Sequence, residues 1–277
     1  MLVAERTPAG LRETGGARAF TAIGSSLGAD GLIPAEKLRE VASVVRSQLE
    51  LAEQLGAQQV RCVATAAVRL AINAQELVAM VEDRCAGLQV EILNAEAEAA
   101  FAFTGAVSGA GLAEGERVAV VDAGGGSTEL VLGDASGRVE WWESVPTGSG
   151  FITARHLLSE PPAAGEVTAA ERELTAQFSG VHPPARVRRV IAVGGSATSM
   201  RTVSGGRLDE ASLTALLETV MSLTAVELAE RFSIAAERAR LLAGGILVLR
   251  AVSALFGVAL EVGTGGLREG VLLSGRQ

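Results

Sequence analysis

Apolar residues recur along the chain with two spacings, and these predict alternating strands and helices. Spacings of three or four residues predict helices at about 35–55, 75–84, 95–107 and 235–256. Short apolar runs predict strands at about 60–64, 90–93, 118–122 and 187–193. Pro34 and Gly56 mark the beginning and the end of the first long helix. Alternating strands and helices are typical of an α/β protein.

A glycine-rich polar break at 109–116 divides this pattern in two. After the break, the strand into Asp122 is followed by a second apolar strand, a turn at 134–137 and a third strand at 138–145. Further helices are predicted to begin at Ser196, Glu210 and Thr224, and a last helical segment follows a glycine-rich turn at 261–270. We therefore predict two domains, 1–114 and 115–277, with mixed sheets and a cleft between them.

The composition narrows the class of protein. With 277 residues, of which 48% are hydrophobic, the chain can form substantial cores. No apolar run reaches about 18 uncharged residues and the first residues do not resemble a signal peptide, so we expect a cytoplasmic protein without a membrane partner. The net charge of −8 argues against nucleic acid as a partner. Cys62 and Cys85 have no partner spacing, and we expect buried thiols rather than a disulfide.

The most informative segment is the loop after the strand that ends at Asp122. Three glycines follow that strand, then two hydroxyls and a carboxylate: Gly124, Gly125, Gly126, Ser127, Thr128 and Glu129. Glycines allow backbone N–H groups to approach an anion closely, and hydroxyls can donate to it. The carboxylates of Asp122 and Glu129 are hard oxygen ligands of the kind that Mg²⁺ prefers. We therefore predict a phosphate and Mg²⁺ site, the alternative being a tight turn capped by Asp122.

A second loop of similar kind follows the strand that ends at Val193. Gly194, Gly195 and Ser196 lead from it into a predicted helix. The first N–H groups of a helix and its dipole favour an anion, so this loop is a second phosphate-binding candidate, although such a sequence alone is often only a turn. Two loops of this kind predict an enzyme that acts on a phosphoanion.

Five segments, taken in order, resemble the exopolyphosphatase/guanosine pentaphosphate phosphohydrolase (Ppx/GppA) family. They are 64–69, 96–105, 122–129, 193–197 and 266–270. The resemblance covers nearly the whole chain, and the ordered set is far more specific than any one motif. It implies two domains of the actin-like ATPase and sugar kinase type (ribonuclease H-like), each with a five-stranded mixed sheet. It also implies the short, two-domain form of the family.

The resemblance further implies roles for particular residues. Glu98 matches the catalytic glutamate, the general base, and Arg69 matches an arginine that the family places near it. Thr147 and Gly148 match a segment that lines the phosphate path. The alternative for Glu98 is that it only solubilises an alanine-rich helix. Glu96, two residues earlier, is expected on a different face of that helix.

The chain departs from the family pattern at three places. Family members open with a strand, an aspartate-bearing phosphate loop and a second strand, whereas residues 1–6 resemble only the second strand. We therefore expect the first domain to lack its first strand and loop. Arg240 stands where the family commonly has aspartate, and 263–265 lacks the usual Ser/Asp-rich character. Other arginines are left open as a phosphate track or as solvated surface: Arg186, Arg188, Arg189, Arg201, Arg207 and, in the last turn, Arg268.

The sequence thus predicts a Mg²⁺-dependent exopolyphosphatase, a hydrolase that releases terminal phosphate from inorganic polyphosphate. Glu98 is the predicted base, while Glu129 either shares Mg²⁺ with Asp122 or orients the attacking water. Guanosine pentaphosphate (pppGpp) is the alternative substrate. A kinase of the same superfamily and a non-catalytic polyphosphate or alarmone sensor are alternatives from other classes. The physiological substrate, turnover by this chain and the oligomeric state, with a homodimer among the options, stay open.

Overall fold

The computed structural model describes residues 1–8, 10–28, 30–204 and 206–275. These residues form two compact units, the first from Met1–Glu98 with the segment from Val271 onward, and the second from Ala99–Gly270. The chain therefore passes from one unit to the other inside two helices. The division between residues 114 and 115, which the glycine-rich break suggests, stays a prediction about domain organisation.

The first unit contains two small sheets and the helices around them. Its strands are β1 (Leu2–Thr7), β2 (Gly10–Gly16), β3 (Cys62–Ala64) and β4 (Val90–Ile92). Its helices are α1 (Ile23–Ser26), α2 (Ala35–Gln54), α3 (Ala66–Arg69), α4 (Ala74–Arg84) and the beginning of α5 (Ala95–Val107). β1 and β2 pair antiparallel, β3 and β4 pair in parallel, and the two pairs are separate sheets.

The apolar spacing of α2 gives this unit its core. Leu38, Val41 and Ala42 are buried on one face of α2, which packs against α4. Cys85 is buried in the same apolar cluster and Cys62 packs against it, and both are free thiols. Burial raises the pKa of each thiol, so both are protonated at neutral pH.

The second unit is built on one six-stranded sheet. Its strands are β5 (Arg117–Ala123), β6 (Thr128–Asp134), β7 (Val139–Val145), β8 (Val190–Val193), β9 (Arg207–Leu208) and β10 (Leu260–Val262). The order across the sheet is β7-β6-β5-β8-β10-β9, and β5, β8 and β10 are parallel. The prediction of five strands is wrong here, because the two-residue β9 adds an antiparallel edge strand beside β10.

Helices cover both faces of this sheet. In chain order they are the rest of α5, α6 (Ser149–His156), α7 (Ala164–Phe178), α8 (Gly194–Ser204), α9 (Glu210–Val220), α10 (Ala225–Phe232), α11 (Ala236–Arg240), α12 (Leu242–Phe256) and the beginning of α13 (Leu267–Ser274). Ala119 and Val121 of β5 pack in the cluster that contains α12, whereas Val118 and Val120 pack in the cluster that contains Phe103 of α5. β5 is therefore buried on both faces.

The long helix predicted at 235–256 is two helices in the structure, α11 and α12. The chain tightens at Leu241, whose N–H donates to the Arg238 carbonyl three residues earlier. α12 then packs closely on α6, where a Cβ added at Gly244 would lie 2.5 Å from the Ser149 carbonyl oxygen. The helical spacing of apolar residues continues across this position, so the sequence did not predict the break. Within the described residues, no helix is both long and apolar enough to cross a membrane.

Candidate active site

The two glycine-containing loops lie side by side in the second unit. β5 and β8 are adjacent parallel strands, and Asp122 near the end of β5 is paired with Val193 at the end of β8. The carboxyl ends of parallel strands meet at one edge of a sheet, so the loops that follow them leave the sheet together. The structure thus brings 124–127 and 194–196 to one place, as a shared phosphate site requires.

Helix α6 supports the first loop from its N-terminus. The Ser149 N–H donates to the Gly124 carbonyl and the Phe151 N–H donates to the Gly125 carbonyl, each at 2.9 Å. The first N–H groups of a helix have no partner within the helix, so these carbonyls satisfy them. Gly148 permits the approach, because a Cβ there would lie 2.5 Å from the Gly124 oxygen. Gly148 therefore has a packing role beside the loop.

Gly125 and Gly126 differ from Gly148, because the fold does not require glycine at either position. Neither has a φ in the left-handed region, and a Cβ added at either would meet no atom within 4 Å. Both positions are exposed. A close ligand would account for the missing side chains, since a Cβ would keep an anion away from the backbone N–H groups.

The second loop is packed around two charged side chains. Gly194 has a φ of +84°, and a Cβ added there would also overlap the Asp122 carboxylate. A Cβ added at Gly195 would overlap the guanidinium of Arg238. Ser196 follows in the first turn of α8 and packs against α12. The loop therefore brings a carboxylate and a guanidinium to the N-terminus of α8.

Arg238 is a site residue that the sequence analysis missed. It is half-buried in α11, with its Nη1 3.5 Å from the Ser199 Oγ. The neighbouring Arg240, which stands out in the sequence as a departure from the family, is exposed. The two arginines look equivalent in the sequence, and only the packing against Gly195 distinguishes them. A guanidinium beside such a loop suits phosphate oxygens, because its donors are planar and permanently charged.

Asp122 and Glu129 form a directly opposed pair of carboxylates. They are register partners in the antiparallel strands β5 and β6, which places both side chains on the same face of the sheet. Glu129 is only 2% exposed. In the described part of the chain, no group of three or more His, Cys, Asp or Glu side chains could hold a metal ion. Two carboxylates nevertheless fit Mg²⁺, which proteins often bind through one or two carboxylates together with substrate phosphates.

Thr147 carries a buried hydroxyl that has no hydrogen-bond partner among the described residues. The residue is 0% exposed, and its carbonyl oxygen accepts from the Thr128 Oγ1 at 2.7 Å. It directly precedes Gly148, so it lies beside the first loop. Buried polar atoms are nearly always hydrogen-bonded, and each exception calls for an explanation. The hydroxyl is enclosed by protein atoms, so a ligand does not reach it in this conformation.

In the first unit, Arg69 and Glu98 form an ion pair beyond the ends of two adjacent strands. α3 follows β3, α5 follows β4, and these strands are parallel. The Arg69 Nη1 donates to the Glu98 Oε2 at 2.7 Å and to the Leu93 carbonyl at 2.8 Å. Glu98 is 7% exposed, whereas Glu96 is an exposed residue. The two glutamates therefore lie on different faces of α5, as expected.

The remainder of α5 is anchored on the sheet of the second unit. Ala99, which directly follows Glu98, and Phe103 are fully buried in one cluster with Val131 of β6. A Cβ added at Gly105 would overlap a backbone carbonyl of the loop before α13. Apolar packing and backbone contact therefore hold α5 in place from Ala99 onward.

The arginines that the sequence left open as a phosphate track differ in their surroundings. Arg189 donates to Glu261 at 2.8 Å and Arg201 donates to a backbone carbonyl at 2.6 Å, so both have structural partners. Arg268 lies 3.9 Å from the Glu269 carboxylate. Three others are exposed: Arg186, Arg188 and Arg207. Arg189 and Arg201 are thereby explained without a phosphate track.

Glycine loops at the ends of adjacent parallel strands, with opposed carboxylates beside them, are typical of α/β proteins that bind phosphate groups. Comparison with known proteins narrows this class to one family. Residues 4–276 match the model of the Ppx/GppA phosphatase family, and the chain belongs to that family.

Two curated relatives and one solved structure illustrate the similarity. Exopolyphosphatase 2 of Mycobacterium tuberculosis is 34% identical over 154 residues, which are 54% of this chain and 47% of that protein. Guanosine-5'-triphosphate,3'-diphosphate pyrophosphatase of Aeromonas salmonicida is 28% identical over 233 residues, 80% of this chain and 46% of that protein. The chain thus spans about half the length of these two relatives. The PPX-GPPA enzyme of Aquifex aeolicus superimposes with a TM-score of 0.79 at 27% identity, over 99% of this chain and 94% of that chain.

Proposed function

We propose that this chain is a phosphoanhydride hydrolase of the exopolyphosphatase kind, which releases terminal phosphate from inorganic polyphosphate. Membership of the Ppx/GppA phosphatase family and the similarity to exopolyphosphatase 2 support the proposal. The structural observation that carries it is the pair Gly125 and Gly126, where the fold leaves open space and does not itself demand glycine. Phosphate oxygens are the ligands that such a loop suits.

In this proposal the second unit holds the terminal phosphate. The N–H groups of Gly125 and Gly126 and the Ser127 hydroxyl donate from one loop, and 194–196 donate from the other, while the Gly124 N–H closes the first loop by donating to the Ser127 carbonyl at 3.0 Å. Arg238 adds a guanidinium beside Gly195, and Thr147 and Gly148 lie next to the first loop, where the family resemblance places the phosphate path. A chain with a net charge of −8 needs this local concentration of donors and positive charge to hold a polyanion.

Glu98 is the proposed general base. The water oxygen bonds to the terminal phosphorus while the bond from that phosphorus to the bridging oxygen breaks, and a water proton passes to Glu98. The bridging oxygen stays with the shortened polyphosphate. Arg69 donates to the Glu98 Oε2 at 2.7 Å and so fixes the orientation of this carboxylate.

Asp122 and Glu129 are the proposed holders of Mg²⁺, directly or through water. When bound there, the ion would neutralise charge on the phosphate oxygens. The direct pairing of the two carboxylates across β5 and β6 supports this assignment. The alternative role of Glu129, to orient the attacking water, uses the same position.

We also infer that the first unit lacks the strand that would join its two sheets. In the second unit, β5 pairs antiparallel with β6 and parallel with β8. In the first unit, no described strand pairs with both the β1–β2 hairpin and the β3–β4 pair. A strand equivalent to β5 would complete a five-stranded mixed sheet and would bring a second aspartate-bearing phosphate loop. For this reason we expect low turnover by the chain itself.

Release of orthophosphate from polyphosphate, measured without any acceptor, tests the proposed function. With Mg²⁺ we expect slow release that Asp122→Ala abolishes while circular dichroism shows an intact fold. Asp83→Ala, which removes an exposed carboxylate of α4, is the matched control and should leave release unchanged. A chain that neither releases phosphate nor binds polyphosphate would contradict the proposal. Binding without release would instead support the sensor alternative.

Guanosine pentaphosphate is a second candidate substrate, favoured by the similarity to the guanosine-5'-triphosphate,3'-diphosphate pyrophosphatase of Aeromonas salmonicida. The same loops would hold its terminal phosphate. Release rates from polyphosphate and from pppGpp, compared at equal concentrations of terminal phosphate, distinguish the two substrates. Transfer of phosphate only when an acceptor is added would indicate a kinase and exclude both.

A further inference from the structure

Ser144 lies beside the candidate carboxylates, although nothing in the sequence pattern singles it out. Glu129 of β6 is the register partner of Asp122 on β5 and of Ser144 on β7. Directly opposed residues of antiparallel strands share one face of the sheet. Asp122, Glu129 and Ser144 therefore form a cross-strand row on the face that carries Val131 of β6 and is covered by α5.

The contact within this row is a hydrogen bond to a buried carboxylate. The Ser144 Oγ donates to the Glu129 Oε1 at 3.0 Å. Glu129 is 2% exposed, so water satisfies little of its hydrogen-bonding capacity. A buried carboxylate is costly to leave without donors, and a hydroxyl donor to a charged group contributes more than one to a neutral group. Ser144 thus supplies one of the donors that Glu129 requires.

We propose that Ser144 is a positioning residue, which fixes one oxygen of Glu129 so that the carboxylate faces the same ligand as Asp122. Glutamate has three side-chain torsions, and a hydrogen bond to one oxygen restricts the orientation of the carboxylate plane. Binding groups that are held in place before the ligand arrives lose less freedom on binding. The proposal rests on the proposed function, because it assumes that Glu129 acts at the phosphate site.

The same hairpin contains a natural control for this contact. Ser136, in the turn between β6 and β7, also donates its hydroxyl to a carboxylate, that of Asp134. This second pair is exposed and lies at the opposite end of the hairpin from Glu129 and Ser144. Removing either hydroxyl removes a hydroxyl-to-carboxylate hydrogen bond from the same hairpin, but only Ser144 belongs to the cross-strand row.

The hairpin also contains a local spectroscopic reporter. Trp141 and Trp142 are the two tryptophans of the chain, and both lie on β7. Trp142 is two residues before Ser144, and side chains two apart on a strand share a face. Trp141 packs on the opposite face of the sheet, so the Trp142 part of the emission reports on the surroundings of the cross-strand row, independently of phosphate release.

Binding of tripolyphosphate to the full chain, measured by calorimetry with and without Mg²⁺ and followed by tryptophan emission, tests the proposal. We expect Ser144→Ala to weaken the Mg²⁺-dependent binding roughly tenfold, since a hydrogen bond to a charged group is lost. Ser144→Thr, which keeps the hydroxyl, should restore binding and the emission change. Ser136→Ala should bind as the unchanged chain does, and Glu129→Gln should weaken binding at least as much as Ser144→Ala.

The other possible outcomes would contradict either the role of Ser144 or the site itself. If Glu129→Gln weakens binding and Ser144→Ala does not, Ser144 has no positioning role and the proposed function stands. If Ser144→Ala and Ser144→Thr lower the melting temperature together and bind equally poorly, the role of Ser144 is structural. If Glu129→Gln binds normally, or the unchanged chain shows no Mg²⁺-dependent binding, the site on which both proposals rest is wrong.

Discussion

The two units differ in the way that their strands are joined. In the second unit, β5 lies between an antiparallel hairpin and two further parallel strands, and 118–121 are all 0% exposed. In the first unit, the hairpin and the parallel pair are separate sheets, and the residues of β3 are only half-buried. One central strand buried on both faces therefore turns a hairpin and a parallel pair into a single sheet.

Part of the element order is nevertheless shared by both units, although β9 and α9–α12 stand between the parallel strands only in the second. A hairpin is followed by two helices, then by two parallel strands that each lead into helix: β1–β2, α1, α2, β3 and β4 in the first unit, and β6–β7, α6, α7, β8 and β10 in the second. In both units the candidate residues follow the carboxyl ends of adjacent parallel strands. The comparison teaches that the candidate residues follow parallel strands in both units, although a strand joins that pair to the hairpin only in the second.

The largest expected effect comes from supplying the first unit with a central strand. We expect that a strand and an aspartate-bearing glycine loop, designed on 117–127 and fused before Met1, raises phosphate release by roughly 10²-fold or more, because preorganised donors are each worth such factors. The control is the same fusion with alanine in place of its aspartate. If the unchanged chain released phosphate as fast as family enzymes do, the separation of the two sheets in the first unit would not limit activity.

The next largest effect concerns the base. In the background with the added strand, Glu98→Gln should lower the rate of phosphate release by about 10²–10⁴-fold and leave polyphosphate affinity intact or improved, because the proton acceptor and a negative charge are both removed. Glu96→Gln is the control, since Glu96 is exposed on another face of α5. Equal effects of the two variants, or the reverse order, would refute the assignment of Glu98.

A third prediction distinguishes a glycine that ligand binding requires from a glycine that packing requires. Gly125→Ala should abolish polyphosphate binding without lowering the melting temperature, because its Cβ would meet no protein atom within 4 Å. Gly270→Ala should destabilise the chain by about 1–3 kcal/mol, because its Cβ would overlap the Phe101 carbonyl. Thermal unfolding and calorimetry measure both. Loss of stability in Gly125→Ala would indicate a structural turn instead.

The smallest effect is expected at the exposed turn of the β6–β7 hairpin. Hydrogen bonds from Ser136 and then Arg138 lower the pKa of Asp134 to about 2. A lowered pKa stabilises the fold above the ordinary value of about 4, and this contribution is lost as the pH falls towards 2. Ser136→Ala should therefore raise the Asp134 pKa, as NMR titration would show. An unchanged pKa would mean that Arg138 alone is sufficient.

Several parts of the site were predictable because they depend on local sequence. The apolar run before Asp122 and the glycines after it predict a strand and a loop, and both are present. The spacing of Glu96 and Glu98 predicts different helix faces, and the structure confirms this. Arg238 was not predictable, since its proximity to Gly195 is a tertiary contact between α11 and the N-terminus of α8. The role of Ser144 was not predictable either, because only the strand register places it opposite Glu129.

The sequence by itself determined the family, the α/β class and the two glycine loops, because these depend on short segments whose residue types have a direct physical meaning. Tertiary structure decided which residues meet. It placed 124–127 beside 194–196 through the parallel pairing of β5 with β8, and it left the strands of the first unit in two sheets. It also showed that Gly148 is needed for packing while Gly125 is not. The physical reason is that strand register and long-range packing bring together residues that are distant in the chain. Local sequence patterns do not specify those contacts.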